Sequence, residues 1–378
     1  MIGRVLFALS VAMTFTLVPV AAQAAPARCE ERLDEGLTEI GTPWALTRLD
    51  PRRVWHLTRG ANVTVAVIDS GVARHPLIPL RKEIDYSGTG NGDCVGHGTA
   101  VAGIIAGRYR GDFPFYGVAP DVRLVSLKQT NKKTGDVGVL VRTIKDAADM
   151  GVKVINISTQ TTDQPDLRAA VYYALDKDVV IVAAAGNSDP KEKDSKEYPA
   201  AYEGVLSVGS VSAQGQRSDF SNTESKVDVM APGQDVTSTW PDGLLMEGLD
   251  GTSFAAPYVA GVAALVRSRY PSLTQEQVRR RIEVTADGAL GVGTGAGIVN
   301  PLLAVTAVLP AEQVELAPPL PPPLPKDAVA KVPPVDGRAI TVAAIVAASA
   351  LALAGAIMAA RLVMPLGRAR RWRSGRPN

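Results

Sequence analysis

The segment Val63-Thr64-Val65-Ala66-Val67-Ile68-Asp69 is a short run of β-branched and small apolar residues that ends on an acid. It lacks a regular alternation of polar and apolar residues, which is typical of a parallel strand covered on both faces. Similar runs occur later in the chain, at Val122–Lys128, Val152–Ser158, Val179–Ala184 and Val205–Val211. The five runs predict strands of one parallel sheet.

Helical patterns accompany these strands, at Thr99–Arg108, Val137–Met150, Leu167–Lys177, Ser253–Arg269 and Thr274–Thr285. The last one opens with Thr274 and Gln277, the spacing of a capping box. A chain that alternates strands and helices predicts an α/β fold, a doubly wound parallel sheet with helices on both faces. We assign residues 44–308 to this domain.

The N-terminal end of the 378-residue chain has a different composition. Residues 1–25 contain an apolar run that closes on Ala22-Gln23-Ala24, which predicts a cleaved signal peptide. An uncleaved anchor helix is the alternative interpretation. Residues 26–43 then form a short N-terminal extension.

The C-terminal end predicts a membrane anchor. Residues 309–338 are a Pro-rich linker, which favours an extended spacer, and an SH3-type ligand is the alternative. Residues 339–360 are apolar and long enough to form one transmembrane helix. Residues 361–378 carry six arginines and no acid, so the positive-inside rule predicts a cytoplasmic tail. A buried core helix would not end in such a tail.

Charge and cysteine content fit an exported protein. The formal net charge of +2 gives no reason to expect a nucleic-acid partner. Cys29 and Cys94 are the two cysteines of the chain, and exported proteins can keep a disulfide. Two free thiols are the alternative. A disulfide would hold the N-terminal extension beside His97.

Four reactive or polar side chains lie where a predicted strand ends or a predicted helix begins. Asp69 ends the first strand, His97 stands between two glycines at a helix start, and Ser253 begins another helix after Gly251. Asn187 follows a buried strand, where its amide could face a developing oxyanion together with the Ser253 N–H. Singly, an Asp or Asn there is often only a cap or a turn former. Together they lie on the side where open α/β sheets bind ligands.

These motifs and their order resemble the subtilisin family of serine proteases over about residues 44–300. The resemblance implies that Ser253 is the nucleophile, His97 the general base, Asp69 its orienting acid and Asn187 an oxyanion donor. The other histidines, His56 and His75, are interpreted as structural. An α/β lipase or esterase is excluded, since Ser253 does not lie in a Gly-x-Ser-x-Gly motif.

The family resemblance also predicts a substrate-binding cleft and no cofactor. Ser158, Thr159 and Gln160 resemble the strand that pairs with the substrate, and Gly135 belongs to the expected opposite wall. Gln160 stands where the family usually has glycine, which predicts a narrower or more polar pocket. No metal site is expected, because the stretch 108–117, which binds calcium in many relatives, offers few oxygen ligands.

The signal peptide, extension, linker and anchor together resemble the mycosins, membrane-anchored subtilases associated with type VII secretion systems of actinobacteria. The resemblance implies limited proteolysis of a secreted protein or peptide and association with the secretion membrane complex. A structural component that stabilises that complex without catalysis is the alternative. Either role predicts a single-pass cell-membrane protein whose catalytic domain is extracytoplasmic and whose C-terminus is cytoplasmic.

Overall fold

The structure is a computed structural model that describes residues 29, 35–110, 114–132, 135–188, 195–289, 291–310, 312 and 337–369. It divides into two compact units, Met1–Leu320 and Pro321–Asn378, which are described separately. The predicted signal peptide and most of the predicted Pro-rich linker lie outside the described residues.

A seven-stranded parallel sheet forms the centre of the first unit. Its strands are β1 Thr64–Asp69, β2 Leu80–Asp85, β3 Arg123–Lys128, β4 Val154–Ile157, β5 Val180–Ala184, β6 Leu206–Val211 and β7 Val229–Pro232. They lie in the order β2-β3-β1-β4-β5-β6-β7. The five predicted strands are confirmed to within two residues at each end, and β2 and β7 are additional.

Helices cover both faces of the sheet, as predicted. They are α1 Trp44–Leu49, α2 His97–Ala106, α3 Val137–Asp149, α4 Pro165–Asp176, α5 Thr252–Arg269, α6 Gln275–Val284 and α7 Pro301–Thr306. The predicted capping box of α6 is present, because the Thr274 and Gln277 side chains each accept from the other residue's backbone N–H. The five predicted helices are found, with ends that differ by a few residues.

Burial on both faces explains why the strand sequences do not alternate. Val65 and Val67 of β1 pack into one apolar cluster, which also contains α2 and α5. Ala66 and Ile68 of the same strand pack into a second cluster, with α3 and α4. All four side chains are fully buried, so neither face of β1 can carry polar residues without cost.

The described residues of the N-terminal extension are held against the rest of the first unit by a disulfide and by backbone hydrogen bonds. Cys29 and Cys94 form a disulfide with a Cα–Cα distance of 5.2 Å. Leu37 pairs with Leu245 through two backbone hydrogen bonds of 2.6 and 2.9 Å. Leu245 belongs to an antiparallel hairpin made of β8, Val236–Trp240, and β9, Leu244–Leu249.

The folded part of the first unit reaches beyond residue 308, its predicted end. Arg281 of α6 is 1% exposed and pairs with the carboxylate of Glu312, which is 6% exposed. The Arg281 Nη1 donates to the carbonyls of Ala304 and Ala307, both at 3.0 Å. The guanidinium also lies 4.3 Å from the ring centre of Tyr270. The ion pair therefore holds the start of the predicted linker against the domain.

In the second unit, the structure describes one helix, α8, Gly337–Ala369. Its segment Gly337–Pro365 contains an 18-residue window with a mean hydropathy of 2.3 and is long and apolar enough to cross a membrane. The helix continues past residue 360, so the first part of the predicted basic tail is helical. Residues 370–378 lie outside the described residues.

Candidate active site

Asp69 and His97 meet at the carboxyl end of β1. Asp69 is the last residue of β1 and is 3% exposed, and His97 is the first residue of α2. The Asp69 Oδ1 lies 2.8 Å from the His97 Nδ1 and also accepts the Ser70 N–H at 2.7 Å. Because a carboxylate oxygen only accepts, Nδ1 is the donor and Nε2 of the neutral imidazole is free to accept a proton.

Ser253 lies on the other side of the imidazole. Its Oγ is 2.9 Å from the His97 Nε2, so the hydroxyl donates to the basic nitrogen. Gly251 precedes α5 at a φ of 148°, and a Cβ there would lie 2.9 Å from the Ser253 Oγ. Glycine is therefore required at this turn. The Ser253 N–H lies in the first turn of α5, where amides lack intrahelical acceptors.

Asn187 lies beside this serine. Its Oδ1 accepts two hydrogen bonds from Thr252, from the backbone N–H at 2.9 Å and from the hydroxyl at 3.0 Å. These bonds fix the amide plane, so the Nδ2 group faces away from Thr252. A Cβ on Gly251 would lie 3.4 Å from the Asn187 Nδ2 and 2.9 Å from the Ser253 Oγ, so both groups border the same small space.

The electrostatics of the site favour a charged imidazole. Burial disfavours the imidazolium of His97, but the charge of Asp69, its hydrogen bond and the charge of Asp93 outweigh burial. The pKa of His97 therefore lies above its ordinary value. The Phe254 ring, 4.9 Å from the imidazole centre, covers part of the ring.

His75 lies in the connection between β1 and β2, and its pKa is lowered, in contrast to that of His97. Its Nδ1 accepts the Leu77 N–H at 3.1 Å, so its Nε2 donates to the Leu244 carbonyl at 2.9 Å. Burial lowers its pKa, although backbone contacts to Leu244 and Gly243 oppose the change. His75 thus links the β1–β2 connection to the β8–β9 hairpin, which fits the structural role predicted for it.

A cavity of about 520 Å³ opens over Ser253 and His97. The predicted substrate-binding residues Ser158 to Gln160 line this cavity, and so do Gly135 and Asp136. The structure therefore brings all the predicted site residues except the cysteines around one cavity. Among the described residues, no group of His, Cys, Asp or Glu side chains is arranged to hold a metal ion.

The side chain of Gln160 bridges two segments that line the cavity, one following β4 and the other following β5. Its Oε1 accepts the backbone N–H of Asn187 at 3.2 Å. The neighbouring Ser158 is fixed from both sides, since its Oγ accepts from the Asn156 Nδ2 and donates to the Ser253 carbonyl, each at 2.9 Å. The wall formed by residues 158–160 is therefore tied to both Asn187 and Ser253.

Three residues of the site were missed by the sequence analysis. Thr252 positions Asn187, and Ser70 and Asp93 lie behind Asp69 and His97. Their positions offered a signal. Thr252 and Ser70 each adjoin a predicted site residue, and Asp93 is an acid four residues before His97, at a helix start.

Comparison with known proteins agrees with the geometry. The profile of the Subtilase family matches residues 60–304. The chain is 37% identical to Mycosin-1 of Mycolicibacterium smegmatis over 377 residues, which covers 82% of both proteins. It is 42% identical to Mycosin-4 of Mycobacterium tuberculosis over 312 residues, covering 68% of both. The chain belongs to the subtilase family and is of the mycosin type.

Solved mycosin structures share the fold. The crystal structure of MycP1 from Mycobacterium smegmatis matches with a TM-score of 0.69 and 33% identity, covering 79% of this chain and 95% of that one. A chain from the periplasmic assembly of the ESX-5 inner membrane complex matches with a TM-score of 0.67 and 32% identity, covering 80% and 95%. The predicted subtilisin-like fold and mycosin resemblance are therefore confirmed.

Proposed function

We propose that Asp69, His97 and Ser253 form the catalytic triad of an active serine endopeptidase. The observation that carries this proposal is the continuous pair of hydrogen bonds, 2.8 Å from Asp69 to His97 and 2.9 Å from His97 to Ser253. It ends on a hydroxyl that faces an open cavity. Membership of the subtilase family supports peptide hydrolysis as the reaction.

In the proposed reaction, the Ser253 Oγ attacks the scissile carbonyl carbon while its proton moves to the His97 Nε2. Asp69 holds the imidazole in the required tautomer and stabilises the imidazolium. His97 then gives the proton to the leaving amine as the C–N bond breaks. A water molecule, deprotonated by His97, cleaves the acyl-enzyme and restores Ser253.

Asn187 is the proposed side-chain donor to the oxyanion, together with the Ser253 N–H. Its Oδ1 is occupied by Thr252, which leaves Nδ2 as the group that faces the reaction space. Such a donor stabilises charge that develops only in the transition state. We expect it to act on kcat more than on KM.

Substrate recognition is proposed to involve Ser158, Thr159 and Gln160, the segment that follows β4, and the wall at Gly135. A substrate in an extended conformation would add a strand to these edges. Gln160 crosses toward Asn187 beside Ser253, where the residue before the scissile bond would lie. Its side chain takes up volume that glycine would leave open. We therefore infer selectivity against large residues at that position, which suits limited proteolysis.

The proposed location is the cell membrane, with the catalytic unit extracytoplasmic and the C-terminus cytoplasmic. The length and hydropathy of α8 support a single anchor, and the six arginines after residue 360 support its orientation. The proposed organisation keeps the signal peptide at 1–25, the extension at 26–43 and a linker that starts after the docked Glu312.

Association with a type VII secretion membrane complex is the partner proposal. It is supported by the similar chain in the periplasmic assembly of the ESX-5 inner membrane complex. That relative also supports a second role, in which the protein stabilises such a complex independently of catalysis. Secreted proteins are the proposed substrates.

A fluorophosphonate probe tests the protease proposal directly. The full-length chain in detergent should be labelled, and Ser253→Ala should abolish the label. Ser272→Ala is the control, because it removes an exposed hydroxyl between α5 and α6, outside the cavity lining, and should leave labelling intact. Equal labelling of wild type and Ser253→Ala, or no labelling of either, would refute the proposal.

Secretion assays test the second role. If Ser253→Ala supports secretion while deletion of the whole chain abolishes it, the protein has a role independent of catalysis. If the variant and the deletion lose secretion equally, that role is unsupported.

A further inference from the structure

Asp93 is a buried acid that lies directly behind the first turn of α2. It is 5% exposed. Its Oδ1 accepts hydrogen bonds from the Ser70 Oγ and from the N–H groups of Val95 and Gly96, all at 2.9 Å. Its Oδ2 accepts from the Thr99 N–H at 2.8 Å and from the Thr99 hydroxyl at 2.7 Å. One carboxylate thus holds both the turn before His97 and the turn that contains it.

Ser70 connects this carboxylate to the one that contacts the histidine. Its Oγ lies 2.9 Å from the Asp93 Oδ1 and 3.2 Å from the Asp69 Oδ1, and it accepts the Gly98 N–H at 3.0 Å. The Asp69 Oδ1 already receives His97 and the Ser70 N–H, so the single hydroxyl hydrogen is directed mainly to Asp93. The end of β1 and the start of α2 are joined through Asp93.

We propose that Asp93 is a positioning residue for His97, which fixes the first turn of α2 against β1 and adds a second negative charge behind the imidazole. The proposal rests on the proposed function, because it assigns His97 the transfer of the Ser253 proton. That transfer creates an imidazolium, and two fixed carboxylates stabilise it more than Asp69 alone.

Among the described residues, Lys128, Glu83 and Asp85 are charged groups of the same cluster as Asp93. Lys128, fully buried, donates to the carbonyls of Gly90 and Gly92 at 3.0 and 2.9 Å. Burial lowers the pKa of Lys128, while the charges of Asp85, Asp93 and Glu83 oppose that change. Burial raises the pKa of Glu83, and the negative charge of Asp93 raises it further. Lys128 thus offsets part of the negative charge of the cluster.

The sign of the expected pH effect follows from the charges that face His97, namely Asp69 and Asp93. Both raise the pKa of His97 against the opposing effect of burial. His97 accepts a proton only when it is neutral, so activity is lost as the pH falls through its pKa. Removing the charge of Asp93 lowers that pKa, and the neutral form then persists to lower pH.

Histidine titration by NMR tests the proposal without turnover. The chain has three histidines, so selective labelling of the full-length Ser253→Ala protein in detergent gives three signals, and His97→Gln assigns the one of interest. With Asp93→Asn, the His97 midpoint should move to lower pH. With Asp85→Asn, a matched loss of charge beside Lys128 but away from α2, it should not move. An unmoved midpoint in Asp93→Asn, or the same shift in both variants, would overturn the proposal.

Kinetics separate the charge from the positioning. In the active enzyme, Asp93→Asn should move the acid limb of kcat/KM to lower pH and reduce its plateau by roughly tenfold or more. Ser70→Ala keeps the charge, so it should reduce the plateau without moving the limb to lower pH. An unchanged plateau in both variants would refute the positioning role.

Thermal melts are recorded for each variant, and Asp93→Ser, neutral and smaller, replaces Asp93→Asn if the latter does not fold. If Ser253-dependent labelling fails, the protease proposal falls, but the NMR titration still decides whether Asp93 controls the protonation of His97.

Discussion

Two buried carboxylates in the first unit, Glu312 and Asp69, make contacts with opposite consequences. Arg281 and Glu312 are 1% and 6% exposed, and the guanidinium is further used by two backbone carbonyls. Asp69 is also buried, with a side chain that is 3% exposed. Its partner His97, however, also forms a hydrogen bond with Ser253, which lines a cavity of about 520 Å³. Burial of charge therefore does not identify a site. A titratable group that connects a buried charge to an open cavity does.

The two pairs also differ in whether one partner can take up and release a proton. A guanidinium has only N–H donors, so Arg281 can only hold the chain in place. Histidine changes charge near neutrality, and the carboxylates behind His97 favour the charged form. One contact thus supports stability, and the other supports proton transfer. Variants of each should separate these two properties.

The largest effect is expected from Asp69→Asn. The amide would favour the wrong tautomer of His97, and kcat should fall about 10⁴-fold. The melting temperature should change little by comparison. Asp136→Asn is the control, because Asp136 also lines the cavity but caps α3, a task that asparagine can perform. Peptide hydrolysis and thermal melts measure both, and comparable losses of kcat in the two variants would contradict the triad.

Arg281→Met should give the converse result. It leaves the Glu312 carboxylate and two carbonyls buried without their partner, which should lower the free energy of unfolding by about 3–5 kcal/mol. The specific activity of the folded protein should be unchanged. Denaturant unfolding and active-site titration check this. A paired Arg281→Met, Glu312→Leu change should recover part of the loss, because no unpaired charge remains.

Asn187→Ala should reduce kcat about 10²–10³-fold with a smaller change in KM, because the lost donor acts on the oxyanion. Thr252→Val provides a graded comparison. It removes only the hydroxyl that holds the Asn187 Oδ1 and keeps the backbone N–H contact, so its loss should be smaller. Steady-state kinetics on one peptide substrate would rank them, and a larger effect of the threonine change would exclude the assigned role.

The smallest effect is expected from Gln160→Gly. Opening the pocket should raise kcat/KM about tenfold for a peptide with a large residue before the scissile bond, and little for one with alanine there. The ratio of the two rates is the measurement. An equal change for both peptides would mean that Gln160 does not act on this position.

The central strands and the polar residues at their ends were predictable because their signals are local. Val65 to Ile68 are buried on both faces, so the segment shows no alternation, and Asp69 follows directly. The glycines beside His97 and Ser253 marked the turns that expose these side chains. A strand end and a turn are each determined by neighbouring residues in the sequence. The sheet topology then brings the polar residues at these positions together.

Other elements were not predictable because tertiary contacts override their local pattern. β2, Leu80–Asp85, is rich in charge because it lies at the sheet edge and its side chains are partly exposed. In β8, Ser238 and Thr239 are buried polar residues whose hydroxyls donate to the α2 carbonyls of Ala100 and Thr99, at 2.6 and 2.8 Å. Asp93 depends likewise on partners distant in sequence. Their roles are set by neighbours that no local pattern contains.

The disulfide between Cys29 and Cys94 has a consequence for how damage to the protein would appear. Asp69 lies inside the covalent loop that this bond closes, and His97 lies outside it. A single proteolytic nick between residues 29 and 94 would therefore leave both fragments joined, and they would migrate as one band without reductant. Only reduction would release the smaller fragment, so a nicked molecule would pass a non-reducing gel as intact.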